Sequence, residues 1–139
     1  MLITVRAYRR RSTALTRYEV SSIFGLAILG TITAGGKPSV THYDTLEMFR
    51  SASLLRIELE TGRTHQIRVH MSAVRHPCVG DLTYGADPKM AAALGLTRQW
   101  LHAIELEFKH PRTGEQVRFT ADLPIDLTLA LERLADYGN

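Results

Sequence analysis

Apolar and charged residues alternate strictly near the middle of the chain. Leu55, Ile57 and Leu59 interleave with Arg56, Glu58 and Glu60. A period of two predicts a strand with one buried face, here over Ser53 to Glu60. Val40 to Glu47 alternates more weakly and predicts a second strand. Farther on, Ile104, Leu106 and Phe108 alternate with Glu105, Glu107 and Lys109. Turn-forming residues follow from His110 to Glu115, then Val117, Phe119 and Ala121 return. That arrangement predicts a hairpin.

Between these strands the period changes. Ile67, Met71 and Val74 recur at helical spacing, with Arg68, Ser72 and Arg75 on the adjacent stripe. The pattern predicts a helix over His65 to Val74, capped by the Thr64 hydroxyl. A strand over the same residues stays open. Asp81 to Pro88 reads as loop, and Lys89 to Leu94 as a short helix stopped by Gly95. Pro124 is suited to open a last helix, with Leu127, Ala130, Leu131 and Leu134 on one face. Together these elements predict an α+β fold, a mostly antiparallel sheet with flanking helices.

The Gly35-Gly36-Lys37-Pro38 turn divides the chain into residues 1–36 and 37–139. In the first part Glu19 is the sole acid, while acids and bases mix in the second. Net charge is +3, from 17 basic and 14 acidic residues. Arginine supplies nearly all of the positive charge, and it suits bidentate contact with phosphate. A single cysteine, Cys78, excludes an internal disulfide framework and a cysteine-based zinc cluster. A reducing, cytoplasmic setting fits that usage. Basic residues up to Arg17 precede an apolar run from Ile23 to Ile32, in outline like a signal peptide. The basic region is too long for one, and Ile32 stands where cleavage after Ala34 would need a small residue. The run is also far short of the ~20 residues that a membrane-spanning helix needs.

Candidate chemistry gathers in Gly62-Arg63-Thr64-His65-Gln66-Ile67-Arg68. A glycine turn entering a helix, with two arginines nearby, makes an anion site. RNA phosphate is one natural ligand; pairing of the arginines with Glu58 and Glu60 is the structural alternative. His65 and His70 are five residues apart, not the four that align two ligands on one helix face, so no metal is expected.

The wider segment LETGRTHQIRVHM resembles the third motif of the RluA/RluD-like RNA pseudouridine synthases. The likeness continues through His76-Pro77, Gly80 to Gly85, Gln99 to Ala103, Phe108 to Pro111 and Leu123-Pro124. It covers about residues 37–135. The resemblance implies isomerisation of uridine to pseudouridine in ribosomal or transfer RNA, without metal or organic cofactor, in the cytoplasm. It implies that Arg68 is the arginine that pairs with the catalytic aspartate. It implies that Arg63, Thr64, His65, Gln66 and Arg75 shape the pocket or contact RNA. A weaker match over residues 7–34 makes Tyr18 the active-site tyrosine.

The family's nucleophilic aspartate lies in an HRLD-type motif upstream of that tyrosine, and HRLD occurs nowhere in this sequence. Residues 1–36 are accordingly expected to be a divergent or truncated remnant of the N-terminal catalytic half. Residues 37–139 are expected to be the C-terminal part of the catalytic domain. The chain alone is expected to be inactive. A non-catalytic RNA-binding module and a non-functional gene remnant are the alternatives.

Overall fold

The structure, a computed structural model, describes residues 2–8, 27–29 and 39–137. Among the described residues, six strands form one sheet: β1 (Leu2–Tyr8), β2 (Ala27–Leu29), β3 (Thr41–Met48), β4 (Ser53–Leu59), β5 (Leu101–Lys109) and β6 (Gln116–Thr120). Their spatial order is β2-β3-β4-β1-β5-β6. β3 and β4 form a hairpin in which Tyr43 faces Ile57 and Thr41 faces Leu59. β5 and β6 form another, with Phe108 opposite Val117. Both match the strands read from period-two alternation, and the antiparallel pairs are in the majority.

The hydrophobic pattern predicts no strand over residues 2–8, yet β1 forms there. β1 lies at the centre of the sheet and pairs in parallel with both β4 and β5. Ile3 is opposite Leu55 on one side and Leu101 on the other. Its partners are distant in sequence, so no local turn announces the pairing.

Among the described residues, three α-helices flank the sheet: α1 (Gln66–Ala73), α2 (Pro88–Leu94) and α3 (Ile125–Asp136). Ile67 and Met71 of α1 are buried against Leu55 and Ile57 of β4 with Cys78. Val74, the third apolar position of that stripe, is 37% exposed, so the buried face ends one turn early. A second cluster centres on Trp100, fully buried among Leu94, Leu127, Ala130 and Leu134. The Trp100 indole N–H donates to the Leu127 carbonyl at 2.8 Å, which satisfies the buried polar end of the ring. Asp87 caps α2 through the Lys89 amide at 2.8 Å. Gly95 ends it in a left-handed conformation, as the sequence predicts.

The start of α1 corrects the expected cap. The N-cap residue is His65, not Thr64, and no side chain caps the helix. His65 is left-handed, at φ 52°, which rotates the chain into the helix one residue later than a Thr64 cap would. The Gln66 amide is satisfied by the Arg63 carbonyl at 3.1 Å.

Candidate active site

The segment from Thr61 to Arg68 leaves β4, turns, and enters α1. Arg63, Thr64 and His65 are exposed on that turn. Gln66 is not: it is buried at 5% exposure. Its amide N–H groups donate to the Val40 carbonyl and Thr41 Oγ1, both at 3.0 Å. Its carbonyl accepts from the Thr61 hydroxyl at 2.8 Å and the Arg63 amide at 3.1 Å. All of its donors and lone pairs are therefore engaged within the protein. Gln66 brackets the turn to β3 and has no hydrogen-bonding capacity left for a ligand. The neighbouring His70, also buried, bonds Ser39 Oγ at 3.0 Å and Thr41 Oγ1 at 2.9 Å.

One turn into α1, Arg68 meets Asp81. Nε donates to Oδ2 and Nη2 to Oδ1, each at 2.7 Å, a bidentate pair. Asp81 is almost fully buried and the Arg68 side chain is 14% exposed. The hydrogen bonds to Asp81 raise the Arg68 pKa above its ordinary value, against the opposing effect of desolvation. Neither Glu58 nor Glu60 takes this role; Glu60 instead holds His42 Nε2 at 2.6 Å.

Asp81 is fixed by its own loop. Its amide donates to the Cys78 carbonyl at 3.0 Å, and its carbonyl accepts from Tyr84 and Ala86. Gly80 allows this path: at φ 81° a Cβ would lie 2.3 Å from the Arg98 carbonyl oxygen. A short 3-10 turn, Leu82–Tyr84, then aims Tyr84 back at α1. The Arg68 guanidinium lies 4.7 Å from the Tyr84 ring centroid. His65 Nδ1 is 3.0 Å from the Tyr84 hydroxyl, and the two rings meet edge to face. Ser72 Oγ donates to the Tyr84 carbonyl at 2.8 Å.

The structure thus brings His65 and Arg68 together, and joins to them two residues that the spacing had not singled out. The sequence places Asp81 and Tyr84 in a loop and within the stretch of family resemblance, but assigns neither a role in the site. The sequence cue was the shared stripe of Arg68 and Ser72, which points one helix face at this loop. Arg75 lies apart, exposed at φ 63° beyond the end of α1. It borders a cleft of about 510 Å³ that also reaches Tyr43, Phe49, His76 and Met90. Tyr18 lies outside the described residues. Among the described residues no cluster of three His, Cys, Asp or Glu side chains could hold a metal ion. Nor is any described helix long and apolar enough to cross a membrane.

Residues 26–73 match the family model for RNA pseudouridylate synthase. An uncharacterized RNA pseudouridine synthase from Mycobacterium bovis is 60% identical over 107 residues, covering 77% of this chain and 35% of that protein. Ribosomal large subunit pseudouridine synthase D from Vibrio cholerae is 40% identical over 162 residues, covering 92% of this chain and 50% of the relative. That alignment is longer than the chain's 139 residues, so the relative carries internal residues with no counterpart here. The chain spans between about a third and a half of the length of these curated relatives. Human RNA Pseudouridylate Synthase Domain Containing 4 shares the fold, with TM-score 0.60 and 22% identity, over 79% of this chain and 56% of that one. In sequence and fold alike, the chain is a relative of the RluA/RluD-like RNA pseudouridine synthases and resembles the C-terminal part of their catalytic domain.

Proposed function

We propose that this chain supplies the arginine side of a pseudouridine synthase site and binds RNA through the turn that carries it. The observation behind this is the arrangement of Arg63, Thr64, His65 and Arg68. The first three are exposed in succession, and the fourth is held beside them with three guanidinium N–H groups unbonded among the described residues. Such a surface suits a polyanion whose bases must be drawn out of their stack. Arg75 extends it along the far end of α1. Gln66 serves from beneath, keeping the turn in shape. Tyr18 would pack against the displaced base, as the resemblance implies. The name of the Vibrio cholerae relative favours RNA of the large ribosomal subunit as the substrate, and we infer the cytoplasm as the setting.

The chemistry needs a carboxylate nucleophile, which in the family comes from an HRLD-type motif. The chain has no such motif. Asp81 is no substitute, because both of its oxygens are engaged by Arg68 and it is 2% exposed. We infer that this chain alone binds RNA without isomerising it. Loss of an essential covalent catalyst removes orders of magnitude of rate.

Purified chain should be incubated with ribosomal and transfer RNA, with pseudouridine quantified and binding measured at several salt concentrations. Salt-sensitive binding without turnover is the expected result. Robust turnover would overturn the inactivity. Failure to bind RNA at low salt would overturn the RNA surface.

A further inference from the structure

We propose that in this chain, whose sequence holds no HRLD-type aspartate to take Arg68, Asp81 and Tyr84 are positioning residues that determine which edge of Arg68 meets an RNA phosphate. The inference rests on Arg68 being part of the RNA-facing surface.

A guanidinium carries five N–H groups. Asp81 takes one on Nε and one on Nη2. Three remain, two on Nη1 and one on Nη2, and none is bonded among the described residues. These lie at the end of the side chain and form a second fork, matched to two oxygens of one phosphate. Tyr84 covers part of the guanidinium, at 4.7 Å. With one edge occupied and a ring beside it, the end fork is what Arg68 can offer a ligand.

The anchor itself is rigid. Asp81 is buried, its backbone is bonded to Cys78, Tyr84 and Ala86, and the preceding Gly80 packs so closely on the Arg98 backbone that a Cβ there would lie 2.3 Å from its carbonyl oxygen. The Tyr84 hydroxyl is tied to His65 on the exposed turn. The loop, the arginine and the RNA-facing turn are therefore joined through one ring. A free arginine loses much rotamer freedom when it binds, and an anchored one has already lost it.

Electrostatics and positioning make opposite predictions. Asp81 offsets the charge of Arg68, so by charge alone its removal should strengthen binding to a polyanion. If Asp81 positions Arg68, its removal should weaken binding. The test measures binding of a single-stranded RNA oligonucleotide to the full chain, with Trp100 fluorescence and a thermal melt to verify folding.

Arg68→Ala should weaken binding on the order of tenfold and lower the salt slope by about one. Asp81→Asn should weaken it to a similar extent. The double variant should be no weaker than Arg68→Ala, because the two act through one contact. Tyr84→Leu should also weaken binding, and Tyr84→Phe should restore most of it by returning the ring. If Arg68→Ala changes nothing, Arg68 does not face RNA, and the underlying functional reading fails at that residue. If Arg68→Ala weakens binding but folded Asp81→Asn binds equally or more tightly, positioning by Asp81 is overturned. Should Asp81→Asn fail to fold, the Tyr84 pair decides: unchanged binding by Tyr84→Leu overturns the proposal.

Discussion

His70 on α1 joins Thr41 on β3, with Nδ1 of the ring 2.9 Å from the threonine Oγ1. Nε2 meets Ser39 on the same segment, so both ring nitrogens are engaged by hydroxyls, and among the described residues no acid is hydrogen-bonded to them. Burial lowers the His70 pKa below its ordinary value of 6.5. The folded state therefore holds the ring neutral at pH values where the unfolded chain has begun to bind a proton. The contribution to stability is complete above about pH 6.5 and is lost as pH falls toward the lower folded pKa. The melting temperature should drop between pH 7.5 and 5. His70→Gln should be less stable at pH 7.5 and show a shallower decline. An equally steep decline in that variant would assign the pH dependence to other groups.

Gln66 offers a second check. Gln66→Ala removes four hydrogen bonds and leaves the Val40 carbonyl and the Arg63 amide without this partner. A loss of about 2–3 kcal/mol is expected from urea unfolding. A loss below about 0.5 kcal/mol would mean that water readily replaces the bracket.

Two glycines make a matched pair. Gly80→Ala forces a Cβ to within 2.3 Å of a backbone oxygen at a left-handed φ. It should cost at least about 2 kcal/mol. At Gly62 a Cβ meets nothing within 4 Å, although it too precedes a key segment. Gly62→Ala should stay within about 0.5 kcal/mol of the parent. Comparable melting temperatures for the two variants would contradict the close packing of the loop on Arg98.

Cys78 is fully buried, and desolvation pushes its thiol pKa up to about 11. Reaction with an aromatic disulfide reagent at pH 8 should be slow in the native protein and rapid in denaturant. Rapid native labelling would show that the loop before Asp81 opens readily.

Local pattern was enough to read β4, the β5–β6 hairpin and the inward face of α3, because each depends on its own alternation. Leu127, Ala130 and Leu134 are indeed buried. The motif containing Arg68 was also legible, but its partner was not. Asp81 lies thirteen residues away, beyond the end of α1, in a stretch with no periodicity. Only the folded loop brings its carboxylate to the helix. The helix start was misplaced for a related reason: threonine is a favourable cap, but the left-handed backbone at His65 overrides that preference. For Gln66 the motif leaves open whether the side chain shapes the pocket or contacts RNA, because burial and the four hydrogen bonds to Val40, Thr41, Thr61 and Arg63 arise only in the fold.

The central place of β1 also constrains the order in which the fold can be completed. Leu2–Tyr8 leaves the ribosome before either neighbour, yet it must lie between Ser53–Leu59 and Leu101–Lys109. The β1–β5 pairing cannot be completed until residue 107 of 139 has been synthesised, and every earlier nascent state leaves an open edge on β1. Slow, non-local closure of this kind gives chaperones time to act and aggregation time to compete.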